Sequence, residues 1–347
     1  IALLQYTGGT TGRPKGAMLS HGNLAANAQQ VDAIDPFERD EPDIIMGALP
    51  LFHVFANTCV LNRSIVRGAT IAMVPRFEAG DVLKTLSRAN VTGFPGVPTM
   101  FQALLDHPKA ATTDFSSLRI SISGGAPLAD PLRDKFETLS GVRLVEGYGL
   151  TETSPVIAVN TMKDGSVPGS VGPVLPNVEL DIVDDAGKPV AQGEVGEIRV
   201  RGETVMKGYW NKPDETAETL SADGWLRTGD LGHLDEKGRL FISAGRKKDL
   251  IIRAGENVSP LVIENVLMSH PAIAEVAAVG IPDERLGEKV KVFAVLREGQ
   301  QATEQELKDL CRKKLPAFMT PDTFQFMESL PKTATGKILK SELKSPH

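Results

Sequence analysis

The order of apolar and polar positions divides the chain into three stretches of different character. Up to about Pro168, short apolar runs are separated by longer mixed segments. The runs "DIIMGALP", "ATIAMVP" and "LRISISGG" predict buried strands, whereas residues 80–89 and 131–139 predict helices. Buried strands that alternate with helices are typical of an α/β layer architecture with a mostly parallel sheet.

The remaining two stretches differ from the first. Between about residues 169 and 245, "VELDIVD" and "EIRVRG" alternate apolar and polar residues between turns and predict a small antiparallel unit. Beyond it, "SPLVIENVLMSHP" predicts a helix capped by Ser259 with Pro260 at its first position. The strand-like runs "EVAAVGIP" and "VKVFAVLR" follow, and "TEQELKDLCRKKL" predicts a helix capped by Thr303. This end of the chain therefore predicts a compact α+β domain.

The predicted fold class is α/β, with a layered sheet-and-helix N-terminal domain, a small β-rich subdomain and a smaller α+β C-terminal domain. The polar stretch "GRKKD" separates two strand-like segments and is the predicted boundary. We expect a large domain at 1–246, which includes the β-rich subdomain at 169–245, and a C-terminal domain at 247–347. The chain starts at Ile1 inside an apolar run without an initiator Met, so we expect the natural N-terminus to lie upstream.

Composition narrows the class of protein. An apolar content of 41% and a charged content of 24% over 347 residues are typical of a soluble globular protein. The net charge of −6 gives no reason to expect a nucleic-acid partner. Cys59 and Cys311 are far apart, which argues against a disulfide framework or a zinc site and favours a reducing, cytoplasmic setting. The apolar segment Ile44–Val60 contains polar residues that are costly in lipid, so it predicts a buried segment and not a membrane span.

The stretch "YTGGTTGRPKG", residues 6–16, holds the first candidate chemistry. Its glycines allow backbone N–H groups to approach an anion, its threonines add donors, and Lys15 supplies positive charge. The P-loop pattern fails, because Gly16 occupies the position of the hydroxyl residue that follows the lysine. The stretch predicts a phosphate-binding loop, with a tight turn between strands as the alternative.

This loop closely resembles the phosphate loop of the adenylate-forming superfamily, which includes acyl-CoA synthetases, luciferases and the adenylation domains of peptide synthetases. Eight further matches follow in the family's order over nearly the whole chain. They are "LPLFHVF", "GGAPL", "EGYGLTE", "GEIRVRG", "MKGYWNKPDET", "DGWLRTGD", "GRKKDLIIRAGENVSP" and "PKTATGKI". The chain is identified as a member on these motifs, and it is most similar to bacterial long-chain fatty acyl-CoA synthetases. The N-terminal part of the family's fold is not represented in it.

The resemblance implies an ATP site. Tyr148 would stack on adenine, Thr151 would contact the reacting phosphate, and Glu152 would ligate Mg²⁺ together with substrate phosphates. Without the resemblance, Tyr148 reads as a core aromatic and Glu152 as a solvated charge. Asp230 would accept hydrogen bonds from the ribose hydroxyls and Arg246 would bind the same sugar, although "TGD" alone is an ordinary turn. The full set implied for ATP and AMP is Thr7, Gly8, Gly9, Thr10, Thr11, Gly12, Lys15, Gly124, Gly125, Ala126, Pro127, Gly147, Tyr148, Gly149, Asp230 and Arg246.

The implied catalytic residues are Lys337, Thr151, Glu152 and His53. Lys337 would offset the repulsion between the attacking carboxylate and the α-phosphate, with Lys332 as the weaker candidate and a surface lysine as the alternative. His53 matches a position near the acyl carboxylate, and a core histidine is an equally good interpretation.

The family's small domain turns about a hinge between two half-reactions. Lys248 matches the hinge, and Gly255 and Glu256 lie in the segment that faces the site during thioester formation.

The function that the resemblance implies is an acid–thiol ligase reaction. A fatty acid or another carboxylic acid reacts with ATP to give acyl-adenylate and pyrophosphate, and CoA then displaces AMP. The implied cofactors and co-substrates are ATP, Mg²⁺ and CoA, with transient membrane contact as a possibility that fatty substrates open. Two alternatives stay open: adenylation with another acceptor, such as a carrier protein or oxygen, and an inactive fragment that only binds nucleotide. We expect a medium- or long-chain fatty acid as the substrate, whereas the preferred chain length and the oligomeric state are not predicted.

Overall fold

The chain divides into two compact units that are described separately. The computed structural model describes residues 1–7, 14–35, 43–162, 165–333 and 337–344. Contacts between Cα atoms assign Ile1–Thr228 and His233–Phe241 to the first unit. They assign Gly229–Gly232 and Ile242–His347 to the second unit. The functional domains expected at 1–246 and 247–347 stay a prediction.

The first unit begins with a hairpin and a helix. They are β1 Leu3–Thr7, β2 Lys15–Leu19 and α1 His21–Ala33. The strands are antiparallel, with Thr7 opposite Lys15. Ser20 caps α1, because its hydroxyl accepts from the backbone N–H of Asn23 while the Asn23 side chain accepts from the backbone N–H of Ser20. The α1 helix buries polar residues as well as apolar ones: Asn27 donates to the carbonyl of Val156 and accepts from its N–H, at 2.8 and 3.0 Å.

A six-stranded sheet follows in the chain. Its strands are β3 Ile44–Gly47, β4 Thr70–Met73, β5 Gly93–Gly96, β6 Ile120–Ser123, β7 Leu144–Gly149 and β8 Val156–Val159. The helices between them are α2 Val54–Ala56, α3 Arg63–Arg67, α4 Ala79–Arg88, α5 Pro98–Asp106 and α6 Asp130–Ser140, with a π-helical turn, Asn57–Asn62, joining α2 to α3. The strand order is β4-β3-β5-β6-β7-β8, and every neighbouring pair except β7–β8 is parallel. The predicted α/β class is confirmed, as are the positions of the three strands and two helices predicted for this part. The predicted burial of "ATIAMVP" is wrong: β4 lies at the edge of the sheet, and its Met73 is 51% exposed.

Two apolar clusters lie on opposite faces of this sheet, because successive side chains of a strand point to opposite sides. Ile45 of β3 belongs to one cluster and Met46 to the other. The Met46 side holds an aromatic column, in which the ring centres of Phe94 and Phe101 are 5.1 Å apart and those of Phe101 and Phe136 are 4.9 Å apart. Each ring is fully buried, which contributes roughly 1.5–3 kcal/mol per side chain.

A buried network of charges joins α1, α3 and the start of β3. Arg63 forms salt bridges with Asp35 and, at 3.2 Å, with Asp43. Arg67 lies 3.3 Å from Asp32 and 3.6 Å from Asp43, and its side chain is only 4% exposed. Such pairs do not add stability in proportion to their number, but removing one partner leaves a buried charge uncompensated.

The middle of the chain forms a five-stranded sheet. Its elements are β9 Ser170–Pro173, β10 Val178–Val183, β11 Gly196–Gly202, α7 Pro213–Thr219, β12 Leu226–Leu234 and β13 Arg239–Arg246. The strand order is β10-β11-β12-β13-β9, with β10 antiparallel to β11 and β13 antiparallel to β9. The antiparallel pairing predicted for "VELDIVD" and "EIRVRG" is therefore confirmed.

The second unit carries the last sheet. Its elements are β14 Ile251–Arg253, β15 Glu256–Val258, α8 Pro260–Met268, β16 Ile273–Asp283, β17 Gly287–Leu296, α9 Glu304–Lys314, β18 Thr323–Phe326 and α10 Lys340–Leu343. The order is β15-β14-β17-β16, and β18 pairs in parallel with β17. Both predicted helix caps are confirmed: the hydroxyl of Ser259 accepts from Val262 N–H, and Thr303 forms a capping box with Glu306.

Candidate active site

The hairpin at the start of the first unit places Lys15 beside an aromatic ring. Lys15 Nζ lies 5.0 Å from the centre of the Tyr209 ring, a distance at which the ring's negative face attracts the cation. Thr7 lies opposite Lys15 across the two strands. The predicted loop residues between them, Gly8, Gly9, Thr10, Thr11 and Gly12, lie outside the described residues.

Tyr209 is held in place because its segment runs along β2. Met18 N–H donates to Gly208 O at 2.9 Å, and Lys207 N–H donates to Met18 O at 2.9 Å. Trp210 N–H donates to Gly16 O at 2.8 Å, so the backbone on both sides of Tyr209 is bonded to the strand that begins at Lys15. The segment lies in the family motif "MKGYWNKPDET", but the sequence alone predicted no role for Tyr209.

The Tyr209 hydroxyl reaches the predicted magnesium ligand. It donates to Glu152 Oε1 at 2.7 Å, and the Tyr209 side chain is buried. The backbone of Met206 also donates to Glu152 O at 2.8 Å. Lys15, Tyr209 and Glu152 therefore form one cluster, which we call the Tyr209 cluster. Within the described residues the Glu152 carboxylate has no salt bridge, and its hydrogen bond from Tyr209 leaves further acceptor positions for a cation.

The turn that carries Thr151 and Glu152 is defined by buried hydroxyl groups. Thr153 Oγ1 donates to Pro155 O at 2.6 Å and accepts from Leu150 N–H at 3.1 Å. Thr58, in the π-helical turn, donates to Ser154 O at 2.7 Å. These bonds hold the segment that follows the predicted adenine-stacking residue in one conformation.

Gly149 is required where β7 approaches this turn. A Cβ atom at Gly149 would lie 1.9 Å from Pro155 O, so no side chain fits there. On β7, Gly147 pairs with Val159 and Tyr148 pairs with Ala158. The end of β7, which carries Gly147, Tyr148 and Gly149, therefore leads into the turn that carries Thr151 and Glu152.

Four residues of the set implied for ATP and AMP, Gly124–Pro127, follow β6 and are implied to flank adenine, so we call them the wall. A Cβ atom at Gly124 would lie 3.2 Å from the ring of Phe55, which packs closely against this glycine. Leu128 N–H, directly after the wall, donates to Glu146 Oε1 at 3.1 Å. Burial raises the pKa of Glu146 to about 8, so its carboxyl group holds a proton more readily than an ordinary glutamate. Glu146 lies in "EGYGLTE", and sequence reasoning missed its link to the wall.

His53 starts a helix in the structure. It is the N-cap of α2, and its Nδ1 accepts from Phe55 N–H at 3.3 Å. This bond gives one ring nitrogen of the half-buried His53 a role in capping α2, and both interpretations of His53 stay predictions. Phe55 is buried, whereas Phe52 is 68% exposed, so the two aromatics of "LPLFHVF" have different environments.

The second unit brings its own predicted residues together. Arg246 Nε lies 3.1 Å from Asp230 Oδ1, and Asp230 is buried. The Lys337 side chain is exposed overall, yet partial burial of its ammonium group lowers the pKa of Lys337. Repulsion from Arg246 lowers this pKa further, while Asp230 and Asp249 act in the opposite direction.

Lys248 shares this environment. Its pKa is lowered by partial burial first, and Arg246 and Lys337 add repulsion, so the three cations lie close enough to affect one another. Such a group of cations is suited to an anionic ligand.

Gly255 and Glu256 lie on the hairpin between β14 and β15. Gly255 has φ +86°, in the left-handed region that favours glycine, and nothing lies within 4 Å of an added Cβ atom. The neighbouring Arg253 anchors this hairpin by donating to Phe318 O and Thr320 O, both at 2.9 Å. The predicted role of the hairpin toward CoA stays a prediction.

Two features are absent from the residues that the structure describes. No group of three or more His, Cys, Asp or Glu side chains in those residues is arranged to hold a metal ion. None of the helices in the same residues has both the length and the apolar character needed to span a bilayer.

Comparisons with known proteins agree with these motifs. Residues 1–210 match the profile of the AMP-binding enzyme family, and residues 262–337 match that of the AMP-binding enzyme C-terminal domain. The long-chain-fatty-acid–CoA ligase of Bacillus subtilis (strain 168) is 44% identical over 99% of this chain and 61% of its own length. A feruloyl-CoA synthase of an Amycolatopsis species is 39% identical over 99% of this chain and 69% of its own length.

Solved structures give the same result for the fold. ATP-bound MatB from Rhodopseudomonas palustris superposes with a TM-score of 0.91 at 35% identity, over 98% of this chain and 66% of that one. The resemblance stated from the motifs is therefore confirmed, as is the acyl-CoA synthetase-like fold. The chain spans only about three fifths of the curated ligases it matches, 61% for the Bacillus protein.

Proposed function

The chain belongs to the family of AMP-binding enzymes, and we propose that it activates a carboxylic acid with ATP and transfers the acyl group to CoA. In the first half-reaction the carboxylate attacks the α-phosphorus of ATP, which forms acyl-adenylate and releases pyrophosphate. In the second, the CoA thiol attacks the acyl carbon and AMP leaves. The observation that carries the proposal is the Tyr209 cluster, which couples a loop-flanking lysine to an acidic residue suited to Mg²⁺.

The first unit supplies the phosphate side of the proposed site. Lys15 attracts the phosphates of ATP as a positive charge at the end of the glycine-rich loop. The donor set fits Mg²⁺, since a carboxylate such as Glu152 has acceptor capacity beyond its one hydrogen bond from Tyr209. When bound, the ion neutralises phosphate charge. Thr151, which precedes Glu152 in the same fixed turn, contacts the reacting phosphate.

The nucleoside is proposed to bind along β7 and the wall at Gly124–Pro127. Tyr148 provides the aromatic face for adenine, and the backbone of Gly124–Pro127 forms the neighbouring wall. Asp230 accepts from the ribose hydroxyls, and Arg246, already bonded to Asp230, orients the carboxylate.

The proposed role of Lys337 follows from its charge. The attacking carboxylate and the α-phosphate are both anionic, and an ammonium group beside them stabilises the negative charge of the transition state. Arg246 and Lys248 make the surroundings of Lys337 cationic and so favour anion binding. In the second half-reaction we propose Lys248 as the hinge and Gly255 and Glu256 as part of the CoA-facing segment.

The acid is proposed to be a medium- or long-chain fatty acid. The curated ligase from Bacillus supports this, whereas the feruloyl-CoA synthase is named for a different acid. A cytoplasmic location with transient contact to a membrane surface suits a fatty substrate.

The test identifies the nucleotide that forms from ATP in the presence of Mg²⁺, CoA and acids from acetate to oleate. AMP and pyrophosphate that appear only with acid support the proposal, and the best acid identifies the substrate class. ADP contradicts the mechanism. Acid-dependent pyrophosphate without thioester points to another acceptor. ATP binding without turnover, measured by calorimetry, identifies a nucleotide-binding fragment and overturns the catalytic proposal for this chain.

A further inference from the structure

The backbone around Lys337 forms a short antiparallel ladder in the second unit. We name its described arms, 331–333 and 337–339, the lysine ladder. Leu339 N–H donates to Pro331 O at 2.8 Å, and Thr333 N–H donates to Lys337 O at 2.8 Å. Lys337 N–H donates to Thr333 Oγ1 at 3.1 Å. These bonds join the arms to each other but do not attach the ladder to the rest of the unit.

Ile338 packs against the apolar cluster around Phe293, and two lysine–glutamate pairs add a polar attachment, one for each arm. Lys332 Nζ lies 2.5 Å from Oε1 of Glu275, at the start of β16. Lys340, the first residue of α10 and directly after the second arm, lies 2.6 Å from Glu264 Oε1 on α8. Glu264 Oε1 also accepts from Ala278 N–H of β16 at 2.7 Å. Both pairs therefore connect the ladder to β16 and the helix packed on it.

The two pairs are more sheltered than ordinary surface ion pairs. Their side chains are only 16–28% exposed. Leu330 and Leu343, which flank the ladder along the chain, are buried in one apolar cluster with Phe293. Burial raises the pKa of Glu264, and the charge of Lys340 acts against that rise. Removing either lysine would leave a sheltered carboxylate without its cation.

We propose that Lys332 and Lys340 are positioning residues, which hold the lysine ladder through Glu275 and Glu264 so that Lys337 is presented for acyl-adenylate formation. The inference rests on the proposed function. It assigns Lys332, the weaker catalytic candidate from the sequence, a structural task next to the reacting lysine. Positioning matters because a displacement of about 1 Å can cost roughly 10²-fold in rate.

The test compares Lys332→Met and Lys340→Met with the parent chain in both half-reactions. We expect each variant to lower kcat for acid-dependent pyrophosphate release by about tenfold with little change in KM for ATP. Thioester formation from supplied acyl-adenylate and CoA stays at the parent rate. The matched control is Lys308→Met, which breaks the 2.6 Å pair with Glu304 on α9 and leaves both rates unchanged.

A charge reversal separates positioning from general loss of stability. Lys332→Glu lowers pyrophosphate release, and adding Glu275→Lys restores it to within about threefold of the parent if the pair acts as proposed. Equal losses in both half-reactions, or losses shared by Lys308→Met, overturn the inference.

Hydrogen exchange tests the same inference without turnover. Faster exchange of the Leu339 amide in the Lys332 and Lys340 variants, but not in Lys308→Met, supports the anchoring, and unchanged exchange overturns it. If the parent chain releases no pyrophosphate, the proposed function is contradicted. Hydrogen exchange by itself then tests whether the two lysines anchor the ladder.

Discussion

The phenol of Tyr209 donates a hydrogen bond to Glu152 Oε1 across 57 residues of chain, at 2.7 Å. The same ring lies beside the ammonium group of Lys15. One buried side chain therefore connects the proposed phosphate-binding lysine to the proposed magnesium ligand. A phenol suits this place because it orients the carboxylate without neutralising its charge.

Tyr209→Phe removes this hydrogen bond and keeps the ring beside Lys15. A hydrogen bond to a charged group contributes about 1.5–3 kcal/mol, so we expect a loss of roughly 10- to 100-fold in the efficiency of pyrophosphate release. Because Glu152 then lacks its orienting donor, the Mg²⁺ concentration for half-maximal rate rises. Both quantities come from Mg²⁺ titrations at saturating ATP and acid.

Two further variants provide a control and a comparison for the Mg²⁺ titration. Thr138→Val, which removes an exposed hydroxyl that donates to Asp134 O on α6, is the control and leaves the curve unchanged. Glu152→Gln removes the charge that the cation needs and shifts the curve at least as far as Tyr209→Phe. An unchanged curve for Glu152→Gln would contradict its role as a ligand.

Lys337→Ala separates the two half-reactions. We expect acyl-adenylate formation to fall by roughly 10²–10³, because the cation beside the transition state is lost. Thioester formation from supplied acyl-adenylate stays largely intact. Single-turnover assays of each half-reaction measure both rates, with the exposed Lys313→Ala as control. Equal loss of both half-reactions would remove Lys337 from its proposed role.

Glu146→Gln changes how stability depends on pH. Burial raises the pKa of Glu146 from its ordinary value of 4.5 to about 8, so between these values the folded chain keeps a proton that the unfolded chain has released. The free energy of unfolding of the parent therefore falls as pH rises through this window. The glutamine keeps an acceptor for Leu128 N–H and does not titrate.

Urea denaturation at several pH values measures the effect. Relative to the parent, we expect Glu146→Gln to gain about 3–4 kcal/mol between about pH 5 and pH 8.5. The exposed Glu236→Gln is the control. A constant difference between Glu146→Gln and the parent across this range would show that Glu146 is ionised throughout.

Arg67→Met tests the buried charge network. The Arg67→Met substitution removes the guanidinium that pairs with both Asp32 and Asp43 in the buried network. We therefore expect the free energy of unfolding to fall by about 3–5 kcal/mol. Arg76→Met, whose side chain is 88% exposed beside Glu78, should change it by less than about 1 kcal/mol. Chemical denaturation measures both, and similar values for the two variants would contradict the predicted cost.

The sequence by itself determined those structural features that depend on residues close to one another in the chain. Ser259 and Thr303 cap helices because a hydroxyl can reach a backbone N–H three residues on, and that relation depends on neighbours in the chain. The strand runs around Ile45 and Ile122 are apolar because both faces of a parallel sheet are covered. The motifs likewise identify the family without coordinates, since their order along the chain is itself the signal.

Only the tertiary structure decided which side chains meet. Tyr209 reaches Glu152 because its segment pairs with β2, and Lys332 meets Glu275 because β16 passes the lysine ladder. Nothing in the local pattern around Tyr209, Lys332 or Glu146 distinguishes these residues from packing or surface residues. Contacts between distant segments follow from how sheets and helices stack, and burial then changes the chemistry of the groups that the stacking encloses.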